Sequence, residues 1–521
     1  MMDVRPTHGM RLDELARELP EGTRIAGDAS VRVFGVRHDS RKVVAGDLFA
    51  VRRGKTVDGA KFVDDAKRAG AVAVLAEEGA AVAEHGLPTI YVPDAARGLA
   101  LAAAAVYEHP SFGLEVVGIT GTNGKTTTTH LVRAAIDGAL GGARCGLVGT
   151  LGYRFRDLAI EATHTTPEAD DLARAMLVMR RAGATHVAME VSSIALSLDR
   201  VHAVRFFVAA YTNLTQDHLD FHGTMDAYGE AKAKLFLGSG PGTSVICVDG
   251  EFGRTLADRV EASSVRLHST HDLAAARGVI RVSAQLGADA DFAPTKLALS
   301  ARGIEATVKT PTGDVQLSSP LVGAHNVENL VVTLGIVHAL SLDLELACAA
   351  LANEKGAPGR RERCDGPGDD VVVLVDYAHT PDALARALDA LRAVSTGRLI
   401  CVFGCGGDRD PSKRGPMGRA AAERADFVWI TSDNPRSEDP SAIAAPIIEA
   451  VVGTKKGQHA VELDRGRAIA RALAEALPGD TILIAGKGHE DYQIVGAEKR
   501  HFDDREEARS ALARRNTRRG V

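Results

Sequence analysis

Residues 116–135, VVGITGTNGKTTTTHLVRAA, run from an apolar strand through a glycine-rich turn into a helix. Backbone N–H groups around Gly121, Thr122, Asn123 and Gly124, set at a helix N-terminus, form an anion-binding concavity. Lys125 is placed to reach the β- and γ-phosphates of a nucleotide, and the Thr126 hydroxyl to bind Mg2+. The usual loop, G-x-x-x-x-G-K-[ST], has a glycine five places before Gly124, and here that place is Ile119. The chain has no N-K-x-D motif for reading guanine, which favours ATP.

Two further groups have the types needed for cation chemistry. Glu190 ends the apolar run of MEVSS, and Asp217 and His218 end another. A carboxylate and an imidazole at neighbouring strand ends can hold a divalent cation near phosphates. Taken alone, a histidine at a strand end is more often a hydrogen-bonded structural residue. Lys232 and Lys234 of EAKAKLF follow. Two lysines on a helix usually mark a solvated face, but a buried lysine can be held neutral. A neutral amine adds CO2 to form a carbamate, which turns a cation into a metal-binding anion.

These residues need strand ends to position them. Residues 31–110 alternate short strands with helical patterns, as in DLFAVRR, DGAKFVDDAKRAGA and AVAVLAE. HPSFGLE reads as a linker before the phosphate loop. THVAMEVSS, FFVAAYTNLT and SVICVDG continue the strands, and VIRVSAQ, TKLALSARGIEATVKT and GDVQLSS have β character. EKGAPGRRERCDGPGDD, rich in glycine and charge, marks a second boundary. Beyond it VVVLVDYAHT, RLICVFGCGGDRD, ADFVWITSDNPR and DTILIAGKGHE are strands that end in polar or glycine-rich turns. Open α/β sheets bind ligands at such ends, so one crevice is expected there. Domains are expected at 1–112, 113–352 and 353–521.

Composition agrees with a soluble globular protein of 521 residues, 45% hydrophobic and 25% charged. The net charge of −6 and the scarcity of aromatics speak against nucleic acid. The basic tail ARRNTRRGV reads as a frayed, solvated terminus. Six cysteines without a C-x-x-C pair read as reduced thiols in a cytosolic protein. No signal core opens the chain, and the longest apolar run, LALAAAAV, is too short to span a bilayer.

GITGTNGKTTTT, HTTPEA, EVSS, TNLTQDHLDFHG, EAKAKLF, GAHNVENLV, APGRRE, DYAHTPDAL, FGCGGDRDPSKR, SDNPRSEDP and GKGHEDYQ occur in one order. That set resembles the Mur ligases of peptidoglycan synthesis, over nearly the whole chain from HDSRKVVAGDLF onward. The family loop is G-T-N-G-K-T, without the standard first glycine. The resemblance implies an α/β chain of three domains, with a central P-loop ATPase-like parallel sheet and a Rossmann-like C-terminal domain. It implies a cytoplasmic ligase, expected to be a monomer with no membrane span. ATP would phosphorylate the D-Glu side-chain carboxylate of UDP-N-acetylmuramoyl-L-alanyl-D-glutamate, and the amine of meso-2,6-diaminopimelate would attack the acyl phosphate.

The resemblance also implies residue roles. Gly121, Thr122, Asn123, Gly124, Lys125, Thr126 and Thr127 would bind ATP, with Asn326 at the adenine and Arg360 and Asp376 from the third domain. Thr126, Glu190, His218 and Lys232, as its carbamate, would hold Mg2+. Lys234 falls where the family pattern is not a fixed lysine and keeps its solvated reading. Ser40 would lie near the uracil, Thr165 and Thr166 at the sugar and peptide, and Ser192 and Arg200 at the peptide or diphosphate. Asp433, Asn434 and Arg436 of SDNPR, with Arg409, Gly486 and Glu490, would form the diaminopimelate site. Arg436 can pair bidentately with the distal carboxylate, which L-lysine lacks. After EVSS the relatives commonly have His-Gly where this chain has Ile194-Ala195, so small effects on positioning are expected. The competing readings are a ligase of the same fold adding L-lysine, an ATP-hydrolysing switch, and an inactive structural relative.

Overall fold

The computed structural model describes residues 5–6, 8–52, 58–82, 85–238, 240–268, 278–366, 368–454 and 458–519. These fall into two compact units. One holds residues 1–283, 289–292 and 331–347, and the other 284–288, 293–330 and 348–521.

In the first unit, five short strands form a sheet: Arg24–Ala26 (β1), Gly35–Arg37 (β2), Asp47–Ala50 (β3), Ala73–Glu77 (β4) and Thr89–Val92 (β5). Their order is β1-β5-β4-β3-β2, parallel except for β1 on β5. Helix α1 (Ala95–Val106) contains the apolar run LALAAAAV. The Asp94 side chain caps it, accepting from the N–H groups of Ala96 and Arg97. Nine of its twelve residues are buried. Such small side chains allow close helix packing, and α1 shares a core with the helix Ala169–Arg181 through Leu99, Ala103 and Leu177. The HPSFGLE segment is a half-buried turn, with Pro110 and Ser111 inside and Glu115 already in the next strand.

An eight-stranded sheet follows: Glu115–Thr120 (β6), Cys145–Gly149 (β7), Gly152–Phe155 (β8), Leu158–Ile160 (β9), His186–Glu190 (β10), Val208–Tyr211 (β11), Thr243–Cys247 (β12) and Gly278–Val282 (β13). The order is β9-β8-β7-β10-β6-β11-β12-β13. All but β8 and β9 are parallel. Four of the helices around this sheet are Lys125–Ala139 (α2), Ala169–Arg181 (α3), Ser193–Ser197 (α4) and Met225–Leu237 (α5). The central strands are apolar along their length, as strands covered on both faces are. Since β10, β6 and β11 are neighbours, the segments after Glu190, Thr120 and Tyr211 emerge side by side.

In the second unit, Ala293–Ser300 (β14), Gly303–Lys309 (β15) and Val315–Ser319 (β16) form an antiparallel sheet of their own. VIRV of the same β-rich stretch instead extends the large sheet as β13. Helix α6, His325–Ala339, is divided between the units, its residues from 331 on belonging to the first. A six-stranded sheet comprises Glu362–Arg363 (β17), Val372–Asp376 (β18), Leu399–Phe403 (β19), Phe427–Ile430 (β20), His459–Val461 (β21) and Thr481–Ala485 (β22). Its order is β17-β18-β22-β19-β20-β21, parallel except for β17. Helix α7 (Arg465–Glu475), the hairpin Tyr492–Val495 (β23) with Glu498–His501 (β24), and helix α8 (Asp504–Arg519) belong to this unit too.

The reading of the basic tail as frayed is corrected. Helix α8 runs to Arg519, and residues 520 and 521 lie outside the described residues. Ala508, Ala511 and Leu512 give it a buried stripe. Arg515 pairs with Asp370 at 2.8 Å and donates to Leu473 O at 2.6 Å. The charges that suggested solvent are partly inward-facing and matched by acids. All six cysteines are buried free thiols. Among the described residues, no helix is long and apolar enough to cross a membrane.

Candidate active site

The phosphate loop lies between β6 and α2. Gly124 has φ +85°, and Gly121 has φ +154° with Thr212 Oγ1 where a Cβ would stand, so the turn requires glycine at both. The loop is sewn to the segment after β11. Thr122 N donates to Asn213 O at 2.8 Å, and Asn123 N to Asn213 Oδ1 at 3.0 Å. Thr212 Oγ1 donates to Asn123 O at 2.7 Å. Two of the amides expected to face phosphate therefore already have acceptors. The anion site narrows to the first N–H groups of α2, which a helix leaves without intrahelical partners. Thr127 lies in that first turn. Lys125 Nζ donates to Gly121 O and Thr122 O, both at 2.9 Å.

Thr126 Oγ1 donates to Glu190 Oε2 at 2.8 Å, and Glu190 is buried. Thr150, at the end of β7, donates its N–H to Glu190 Oε1 at 2.8 Å and its hydroxyl to Thr165 Oγ1 at 3.1 Å. It joins the expected cation carboxylate to the expected substrate threonines, and no sequence signal had singled it out. Lys232 on α5 is almost completely buried and donates to Gly121 O at 2.8 Å. Burial first, then the nearby Lys125 charge, pushes its amine down to about 6. Its Nζ lies 4.2 Å from the Tyr228 ring centroid, and the His218 ring meets the same tyrosine edge-on at 6.1 Å. Lys125, Lys232 and His218 are thus linked through Gly121 O and Tyr228, and Thr126, next in the chain to Lys125, is bonded to Glu190. The hydroxyl, carboxylate, imidazole and carbamate would form an oxygen-rich set that suits Mg2+.

The substrate residues of this unit form a second group. Thr166 Oγ1 donates to Glu190 O at 2.9 Å and accepts from Ser192 N at 2.9 Å. Ser192 Oγ accepts from Ala195 N, capping α4. The Ile194-Ala195 departure lies in this short helix, whose Ser193 Oγ is 2.9 Å from His222 Nε2. Arg200 donates to Thr166 O at 3.1 Å and pairs with Glu168 at 2.6 Å, leaving its buried Nε without an acceptor among the described residues. Glu168 also receives Arg52 at 2.5 Å. Ser40 opens a turn capped by Asp39. Its neighbours His38 and Lys42 reach Asp170 and Asp171 at 2.7 and 2.9 Å. Burial opposes charge on His38, but the hydrogen bond and charge of Asp170 outweigh it and raise its pKa.

A histidine raised above its unfolded value of about 6.5 gives stability that is complete below that value and lost as pH rises through the folded pKa. Asp170→Asn is therefore expected to remove the stability that is lost as pH rises above about 6.5. Urea denaturation at several pH values checks this, and identical pH slopes in the two proteins would refute it.

The second unit carries the other motifs. Asn326 is buried. It donates to Val322 O and accepts from Asn329 Nδ2, both at 2.9 Å. Asp376 accepts from Arg361 N and Ala378 N, both at 2.8 Å, so both its oxygens brace backbone. Arg360 lies 5.4 Å over the Tyr377 ring. His325 is pushed down to about 3 by burial and Arg361, whose Nη1 donates to its Nδ1 at 3.2 Å. Arg409 is exposed on the loop after β19. Arg436 has φ +53°, and its Nη1 donates to Gly407 O at 2.6 Å. Asn434 Nδ2 donates to Glu490 Oε2 at 3.0 Å, and Gly486 N to Asp376 O at 3.0 Å. Asn434 and Glu490 are thereby joined, and Gly486 lies beside the Asp433 carboxylate.

Arg465 on α7 is fully buried and pairs with Asp504 by two 2.7 Å bonds. It also donates to Ser432 O at 3.2 Å and Ala485 O at 3.0 Å. This one guanidinium fixes the ends of β20 and β22, where SDNPR and GKGHE begin. In sequence it reads as one more charge on a helix.

Three family models match the chain. They are Mur ligase family, catalytic domain, over residues 32–107; Mur ligase middle domain, over 119–337; and Mur ligase, glutamate ligase domain, over 359–488. The chain belongs to the Mur ligase family. It is 46% identical over 511 residues to the UDP-N-acetylmuramoyl-L-alanyl-D-glutamate–2,6-diaminopimelate ligase of Gloeobacter violaceus, covering 98% of this chain and 99% of that one. To the ligase of that name from Synechococcus elongatus it is 44% identical over 496 residues, covering 93% and 95%. A solved structure of a ligase of that name superposes with TM-score 0.72 at 32% identity, over 98% and 99% of the two chains. MurF from Acinetobacter baumannii, at 18% identity and TM-score 0.62 over 93% and 97%, shares the fold.

Proposed function

We propose that this protein joins meso-2,6-diaminopimelate to the D-Glu of UDP-N-acetylmuramoyl-L-alanyl-D-glutamate, using ATP, in cytoplasmic peptidoglycan precursor synthesis. The observation that carries this reading is the 46% identity to a ligase of that name along almost the whole of both chains.

The γ-phosphoryl group of ATP passes to the D-Glu side-chain carboxylate and ADP leaves. The diaminopimelate amine then attacks the acyl carbon, phosphate departs and the amine loses a proton. Positioning and charge stabilisation dominate such transfers. The N-terminus of α2 and Lys125 would cradle the phosphates, and Asn326, Arg360 and Asp376 would serve the nucleotide. Thr126, Glu190, His218 and, as a carbamate, Lys232 would hold Mg2+, which supplies charge neutralisation between carboxylate and phosphate. Ser40, Thr165, Thr166, Ser192 and Arg200 would grip the nucleotide-sugar, with the Arg200 Nε–H open for an anionic acceptor. Arg436 and Arg409 would take the carboxylates of diaminopimelate and Glu490 its distal ammonium.

The test is phosphate release from ATP with the nucleotide dipeptide and meso-diaminopimelate, L-lysine or no acceptor, with the product weighed by mass spectrometry. Release and a tripeptide product with diaminopimelate alone are expected. Release independent of acceptor would replace the ligase with an ATPase switch, and equal use of lysine would remove the selectivity.

A further inference from the structure

Lys487 lies in GKGHE, in the turn after β22, and its side chain has no exposure. Its Nζ is 3.1 Å from Asn434 Oδ1, 3.3 Å from Asp433 Oδ1 and 3.5 Å from Glu490 Oε2. A sealed ammonium is tolerated only where anions and acceptors surround it, and here they come from two motifs far apart in sequence.

Each partner is held from a second side as well. Asn434 Nδ2 donates to Glu490 Oε2 at 3.0 Å, and Ile494 N donates to Asn434 Oδ1 at 3.0 Å. Gln493 Nε2 donates to Asp433 O at 2.7 Å. Each carboxylate thus gives one oxygen to this hub. The others, Asp433 Oδ2 and Glu490 Oε1, have no protein donor among the described residues. Asp433 Oδ2 stands 3.4 Å from where a Cβ on Gly486 would lie.

We propose that Lys487 is a positioning residue, an internal counter-ion that holds one oxygen of Asp433 and one of Glu490 so that the other oxygen of each meets the ammonium groups of the incoming amino acid. This rests on the reaction proposed above. Without Lys487 the two carboxylates lose their shared cation, and repulsion favours protonating one of them. A neutral carboxyl is a poor partner for an ammonium, so the loss falls on acceptor binding and spares carboxylate activation.

Lys487→Met and the double variant Lys487→Met/Glu490→Gln separate this from a folding role. Exchange between ADP and ATP that depends on the nucleotide dipeptide, without acceptor, reads the activation step alone. Lys487→Met is expected to raise KM for diaminopimelate by about 30-fold or more, with exchange and KM for ATP changed less than about threefold. The double variant removes the cation and one of the two carboxylates it held, which relieves their repulsion, so its melting temperature is expected to recover in part while KM for diaminopimelate stays high. An unchanged KM for diaminopimelate overturns the proposal. So does a parallel loss of exchange, ATP affinity and acceptor affinity in both variants. Wild-type protein that exchanges but never forms the tripeptide product overturns the assigned reaction, and the proposal with it.

Discussion

Lys232→Ala is expected to lower kcat by about a thousandfold or more, the scale of losing a principal charge stabiliser, with little change in KM for ATP. Lys232 is buried, donates to Gly121 O and titrates at about 6. At pH 8 the neutral amine outnumbers the charged form by about a hundredfold. That amine can attack CO2: an N–C bond forms, a proton leaves to water, and a carbamate anion results. The alanine variant leaves room for a small carboxylic acid, so acetate or formate is expected to restore part of the rate. Lys232→Arg keeps a permanent cation there and is expected to be equally inactive and beyond rescue. Wild-type activity in CO2-depleted buffer, with bicarbonate then added back, supplies the direct check. Rates independent of CO2, or an active Lys232→Arg, would sink the carbamate. The stability sign is also set: between about pH 6 and 10 the unfolded lysine binds a proton that the folded one does not, so this site destabilises the fold. Lys232→Met is therefore expected to melt higher at pH 7 while losing activity.

The phosphate loop was legible because every part of it is local. An apolar strand, two glycines needed for backbone reasons and a helix start all lie within twenty residues. The order of strand ends was legible for a similar reason, since buried parallel strands read as continuous apolar runs. Residues whose partners lie far along the chain were hidden. Thr150 matters only because β7 lies beside β10, which sets it on Glu190. Lys487 and Arg465 carry no signal of their own until the sheet brings SDNPR and GKGHE together around them. The β-rich stretch 278–319 has one character in sequence but divides between two sheets, because strand propensity does not name a partner. Asn326 and Asp376 show the converse. Each was singled out as a ligand contact, yet each also uses its polar atoms to hold its own segment in shape.

Arg436→Ala is expected to raise KM for diaminopimelate by about a hundred- to a thousandfold, as loss of one partner of an enclosed charge pair does. L-lysine, which has no distal carboxylate, is expected to be used about as poorly as before, so a preference on the order of ten-thousandfold shrinks toward tenfold. The backbone of Arg436 is clamped on both sides, its N–H donating to Ile494 O at 3.1 Å and its carbonyl accepting from Gly496 N at 2.7 Å. One guanidinium nitrogen is tied to Gly407 O, and Gly406 leaves space beside it, where a Cβ would come within 3.0 Å of Nη1. The remaining N–H groups are available for a planar, two-point grip on a carboxylate. Lysine at this position offers only a point charge, so Arg436→Lys is expected to recover a minor part of the selectivity. Fold and recognition can be separated here because φ at Arg436 is +53°. Glycine takes that conformation without strain, so Arg436→Gly is expected to melt no lower than wild type and still to lose the preference. Competition between the two amino acids, read from product masses, gives the ratio directly. A variant that keeps it would show that another residue reads the distal carboxylate.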